Sequence, residues 1–109
     1  MAVLAAVMTG PGAGAIATIQ LSGDAAADIL RQAFVSATGR PPVFEFGRIL
    51  LGRIVHGDRT LDQVTIGCEG PETFSIHCHG NPLIVEAIVR QLRDLGAAIS
   101  PQSAWLLLQ

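Results

Sequence analysis

The stretch Thr73–Gly96, TFSIHCHGNPLIVEAIVRQLRDLG, decides how this chain folds. Strand side chains alternate, so Phe74, Ile76 and Cys78 fall on one face, and Thr73, Ser75, His77 and His79 on the other. Gly80 ends that strand, Asn81 is a favoured N-cap, and Pro82 sits at the first helical position, where its missing N–H does no harm. The helix is expected to stop at Gly96. Its apolar residues leave only Glu86, Arg90, Arg93 and Asp94 for a charged face, with Glu86/Arg90 and Arg90/Asp94 spaced as i,i+4 pairs. So broad an apolar arc suits contact with a second helix or a subunit as well as a sheet.

Working outward, Val3–Met8 reads as a short buried strand and Ile16–Leu21 as another, with Ala17, Ile19 and Leu21 opposed to Ile16, Thr18 and Gln20. Between them Thr9–Ala15, TGPGAGA, is a glycine-rich turn, either a hairpin loop or an anion cradle. It fails as a dinucleotide fingerprint because no helix follows it. A helix is expected from Ser22–Asp24, capped by Asp24 or Ser22, to about Ser36, with Ile29, Leu30, Ala33 and Phe34 buried. Thr38–Val43 is a loop. Phe44–Val55 reads as the longest strand, exposing Arg48 and Arg53, and His56–Arg59 as a hairpin turn into Leu61–Cys68. In that strand Val64, Ile66 and Cys68 face inward, Gln63 and Thr65 outward. Ala97–Ile99 suits a last short strand, and Ser103–Gln109 a turn or two of helix. Trp105 and the leucines beside it have little chain to bury them, which fits docking on a partner or truncation of a longer protein. The fold class expected is α+β, with a mixed, mostly antiparallel sheet under two main helices.

Half of the 109 residues are apolar and 15% charged, which fits an ordered domain large enough to need no staples. The formal charge of −2 gives no field favouring nucleic acid. All seven basic residues are arginine, so a phosphate-loop lysine and a Schiff-base lysine are excluded. Met1–Met8 is too short for a membrane span and lacks a basic leader. Cys68 and Cys78 read as reduced, buried thiols, which places the chain in the cytoplasm. His77 and His79 project to one side, as two metal ligands would, but only His56 could join them, and zinc needs three or four. Cys78 points away from both histidines and is no activated nucleophile. Glu69 and Glu72 read as solvated loop charges.

Three segments in order, GPGAGAIATIQLSGDAAADI at Gly10–Ile29, Leu61–Asp62, and IHCHGNPLIVEAIVRQLRDLGA at Ile76–Ala97, resemble the N-terminal domain of the MnmE/TrmE family of tRNA-modification GTPases. The resemblance implies a single folate-binding, homodimerising α+β domain over residues 1–109, related to the glycine-cleavage T-protein group, with no GTPase or helical domain in this chain. It implies a 5-formyl-tetrahydrofolate-type one-carbon carrier, a flavoprotein partner, tRNA wobble-uridine modification with tRNA engaged only indirectly, and no membrane. The residues expected to line the pocket are Gly12, Gly14, Gln20, Ser75 and His77, none of them catalytic and none a metal ligand. Family members usually carry arginine where Gln20 and Ala13 stand and glutamate where Ser75 stands. The resemblance therefore implies a weakened carrier site. The alternative is a stand-alone dimerisation module without ligand, associating through the broad helix and the Trp105 segment.

Overall fold

The computed structural model describes residues 2–8 and 14–108. Seven strands form one sheet in the order β3-β4-β5-β6-β2-β1-β7: β1 Val3–Val7, β2 Ile16–Gly23, β3 Phe34–Ser36, β4 Ile49–His56, β5 Arg59–Cys68, β6 Thr73–His79 and β7 Ala98–Ile99. Every pairing is antiparallel except β1 with β7. The sheet is thus mixed and mostly antiparallel, and the class is α+β, as the sequence implied.

Two helices, α1 (Ala26–Ala33) and α2 (Pro82–Asp94), lie on one side of it. The alternation in β6 sends Phe74, Ile76 and Cys78 beneath them, fully or nearly fully buried. Ala17, Ile19 and Leu21 of β2 and Val64, Ile66 and Cys68 of β5 join the same layer, against Ile29 and Leu30 of α1 and Val85, Ile88, Val89 and Leu92 of α2. Burying a leucine- or isoleucine-sized side chain contributes about 1.5–3 kcal/mol, so this layer is the main source of stability.

The ends of α2 follow from its sequence. Asn81 Oδ1 accepts from the Leu83 N–H at 2.8 Å, Pro82 opens the helix, and Gly96 closes it at φ +118°. Most of the broad apolar arc packs within the chain, on β5, β6, α1 and a terminal 3-10 helix, Pro101–Leu108, while Leu83 stays exposed. Even Gln91 is buried, its Nε2 donating to the Val55 carbonyl at 2.9 Å. Arg90 lies 3.8 Å from Glu86, whereas Asp94 pairs with Arg93 and not with Arg90.

Four expectations need correcting. The first helix ends at Ala33, and Phe34–Ser36 form edge strand β3, because Phe34 and Val35 gain backbone partners in Ile54 and Arg53 of β4. Its N-cap is Ala25, without a side-chain bond from Ser22 or Asp24. The strand expected from Phe44 begins only at Ile49, since Gly47 at φ +85° breaks the extended chain and Phe44 packs edge-on against Phe74, ring centroids 5.3 Å apart. The ten-residue β5 is the longest strand instead. Finally, the C-terminal segment buries part of itself: Leu106 enters the core and Ser103 Oγ accepts from the Val7 N–H at 2.9 Å, while Trp105 stays exposed.

Candidate functional site

Among the described residues no helix covers the second face of the sheet, and the strand register fixes which side chains meet there. Gln20 on β2 stands directly across from Ser75 on β6, and Ser75 from Gly67 on β5. One step along, Thr18 faces His77, His77 faces Thr65, and Thr65 faces Leu51 on β4. Three of the expected pocket residues, Gln20, Ser75 and His77, therefore share one patch. Gly14 lies at the end of the glycine loop beside Gly80. A Cβ at Gly80 would overlap the Gly14 carbonyl, so a residue without a side chain is what lets the Gly14–Ala15 backbone lie against the end of β6, where the Gly80 N–H also donates to the Ala15 carbonyl at 3.1 Å. Gly12 and Ala13 lie outside the described residues.

The polar groups of this face are held by specific partners. The Thr18 hydroxyl and His77 Nδ1 are 3.1 Å apart. His79 Nδ1 sits 2.8 Å from Asp62 Oδ1, and the same carboxylate accepts from the His79 backbone N–H at 2.8 Å. With Nδ1 engaged in both rings, each Nε2 is directed away from its partner. Among the described residues no three His, Cys, Asp or Glu side chains gather to hold a metal. A depression of about 570 Å³ opens alongside, with Ile16, Leu51, Arg53, Thr65, His77 and His79 among its walls. Two of its apolar wall residues are well exposed, Ile16 at 63% and Leu51 at 62%, and Ile49, outside the depression on the same strand as Leu51, is 72% exposed.

Beneath the sheet the two cysteines are free and buried. Burial pushes the Cys78 thiol up to about 11, with the Asp62 charge adding to the rise. Burial raises Cys68 as well, against a smaller opposing pull from Arg48. Both shifts disfavour the thiolate form that a nucleophilic cysteine needs.

Sequence reasoning missed two contributors. Glu69 is not a free loop charge: its Oε1 accepts from the Ser75 hydroxyl at 2.7 Å, and its N–H donates to the Thr73 carbonyl at 2.9 Å. Strand parity could have found it, because residue 69 is in phase with Gly67 and Thr65 on the open face. Asp62, by contrast, is in phase with the core residues Val64 and Ile66 and reaches His79 only at the end of the sheet, which parity alone does not indicate.

Comparison with known proteins adds a consistent set of similarities. The family model described as GTP-binding protein TrmE N-terminus matches residues 3–102. The tRNA modification GTPase MnmE of Flavobacterium psychrophilum is 33% identical over 105 residues, covering 89% of this chain and 23% of the relative. That of Roseiflexus castenholzii is 33% identical over 102 residues, 86% and 22% respectively. That of Clostridioides difficile is 28% identical over 95 residues, 79% and 20%. The chain thus spans roughly a fifth to a quarter of the curated relatives it matches.

Proposed function

Because the chain belongs to the TrmE N-terminal family, we propose that residues 1–109 act as one carrier-binding and dimerisation domain in tRNA wobble-uridine modification, holding a 5-formyl-tetrahydrofolate-type one-carbon carrier with reduced affinity. The observation that carries this reading is the cross-strand grouping of Gln20 with Ser75 and of Thr18 with His77 on the uncovered sheet face. A flat ligand can lie on such a face, with backbone close at Gly67 and polar side chains orienting its edges.

Any hydrolysis of GTP lies outside these residues, which contain no phosphate-loop lysine. The chain's own part is to bind and orient. The carrier supplies the reactive carbon when bound, and Thr18 and His77 offer it a hydroxyl and an imidazole held 3.1 Å apart by their mutual bond. Reduced affinity follows from Gln20: an amide where family members carry a guanidinium forfeits a charge-assisted bond to a carboxylate, about 1.5–3 kcal/mol. That is about 10- to 150-fold in Kd for that position.

The exposed apolar residues Ile16, Ile49 and Leu51 support self-association through this same face, placing the carrier between two copies, and a flavoprotein partner and indirect contact with tRNA go with that role in the cytoplasm. Among the described residues no helix is long and apolar enough to cross a membrane. An NMR titration of the 109-residue chain with 5-formyl-tetrahydrofolate tests the reading. Shifts are expected at Gln20, Ser75 and His77, with saturation only at high micromolar to millimolar ligand. No shift at several millimolar would overturn it, and sedimentation as a monomer at tens of micromolar would remove the dimer.

A further inference from the structure

The sheet parts between β5 and β6. Their pairing runs only from Thr65/His77 to Cys68/Phe74, and beyond Thr65 the strand β5 continues to Arg59 with β4 alone as its partner. A register shift between Ile54 and Val55 makes the β4–β5 ribbon irregular in the same region, and such shifts bend and twist a ribbon. The depression of about 570 Å³ lies at this parting: Val64 and Cys78, core residues of the two strands, are among its walls with Thr65 and His77 of the last pair. That volume falls within the roughly 300–1,000 Å³ of small-molecule sites. None of Gln20, Ser75 and Gly67 is among its described walls, so it is a different place from the patch assigned to the carrier.

Its chemistry is uneven from one side to the other. Val35, Arg53 and Gln63 stand in one row across β3, β4 and β5, and Ile16 stands on β2 opposite His79, on the far side of the parting. Val35, Leu51 and Ile16 are exposed apolar walls. Among the described walls Arg53 is the one permanent cation, and no carboxylate stands with it. Asp62, close by, is engaged by the backbone N–H and the ring of His79. Among the described residues Arg53 makes no ion pair; its Nη1 donates to the Thr60 hydroxyl at 3.0 Å, which steadies the guanidinium and leaves the Nε and Nη2 hydrogens unspent. The Gln63 amide and the Thr65 hydroxyl likewise have no hydrogen-bond partner among the described residues.

We propose that this depression binds a small monocarboxylate borne on an apolar body, of the aryl carboxylate class, with Arg53 gripping the carboxylate and Leu51 and Ile16 covering the body. A guanidinium edge takes a carboxylate by two parallel N–H bonds, and one fixed positive charge balances one negative charge. A phosphate dianion would leave a charge unbalanced against apolar walls. The Gln63 amide beside Arg53 adds a neutral donor. The inference does not rest on the carrier reading.

The test is an NMR titration of the 109-residue chain with biphenyl-4-carboxylate, biphenyl-4-carboxamide and biphenyl-4-yl phosphate. The carboxylate should shift Leu51, Arg53, Thr65 and His77, leave Gln20 and Ser75 in place, and bind about 10-fold or more tighter than either other probe. Arg53→Gln, at an exposed side chain, should keep the melting temperature, weaken the carboxylate by about 10- to 150-fold and leave the carboxamide unchanged. Leu51→Glu, also at an exposed position, should keep the fold and abolish carboxylate binding. Equal binding of carboxylate and carboxamide, or no loss in Arg53→Gln, would overturn the role of Arg53. Tighter binding of the phosphate would overturn the monocarboxylate class. Shifts centred on Gln20 and Ser75, or none at several millimolar carboxylate, would overturn the site. The carrier reading is untouched by these outcomes, since the probes contain neither its ring system nor its one-carbon group.

Discussion

Raising the pH from 8 to 11 should destabilise the protein through its two thiols alone. The chain has no lysine and no tyrosine, and its arginines titrate only above that range, so the cysteines are the side chains that ionise there. Cys78 rises from an ordinary 9.0 to about 11 on folding. A native pKa above the unfolded one means that the unfolded state releases its proton first. The stabilisation is therefore complete below pH 9 and drains away as pH climbs toward and through 11. With a separation of two units, the loss is about 1.4 kcal/mol at pH 10 and about 2.3 kcal/mol at pH 11. Cys68 adds a further loss of the same sign. Against the roughly 5–15 kcal/mol of a typical domain this is a readable fraction. Urea unfolding in reductant, followed by the single Trp105, would give the midpoint at each pH. A fall of about 1 M or more between pH 8 and 11 is expected for a slope of about 1–3 kcal/mol/M. The double variant Cys68→Ala, Cys78→Ala should be less stable at neutral pH but flat across the range. A flat wild-type profile, or a slope that survives in the double variant, would refute the reasoning.

Three further outcomes are expected. Asp62→Ala removes the acceptor of both the backbone and ring N–H of His79, on a side chain only 9% exposed, and should cost about 2–4 kcal/mol. Asp62→Asn, which keeps one acceptor, should cost about half of that, and equal losses measured by denaturant titration would count against the pairing. Asn81→Ala deletes the cap of α2 and should lower stability by about 1 kcal/mol, read by calorimetry as a fall of some 4–8 °C. Gln20→Arg should tighten 5-formyl-tetrahydrofolate by about 10- to 150-fold in a calorimetric titration, and an unchanged Kd would show that this position does not meet the ligand's acid groups.

What the sequence disclosed depended on whether a signal was local. Thr73–His79 was legible because its alternation is strict, and α2 because Asn81-Pro82 and Gly96 mark both ends by backbone chemistry that no tertiary contact reverses. Phe34–Ser36 was not, because Phe34 continues the apolar stripe of α1 at helical spacing, and only β4 alongside makes extension the better state. Phe44–Arg48 failed for a related reason. Its aromatic residues suit a strand, but Arg31 lies 5.5 Å from the Phe44 ring centroid and Phe74 meets that ring edge-on, so the segment is held as a loop over the end of the core. Gln20, Ser75 and His77 were placed on one face by parity alone; the bonds of Ser75 to Glu69 and of His79 to Asp62 join different strands, which no pattern within one strand can express.

The two faces of the sheet differ in how far their residues are constrained. On the core side Phe74, Ile76 and Cys78 are fixed both by strand pairing and by the helices above, so any exchange there creates a cavity or a clash. On the open side the pairing fixes position while leaving chemistry free. Ser75 is the informative exception, an open-face residue buried because Glu69 bends over it. Its hydroxyl donates to the carboxylate of Glu69, just beyond the end of β5, and so ties the β5–β6 connection to the open face. Gln20 has no comparable substitute, since neither Gly67 nor Ser75, its neighbours along that row, brings a cation to the patch. Along that row the face offers the Glu69 carboxylate as an acceptor and, in place of a cation, only the neutral amide of Gln20.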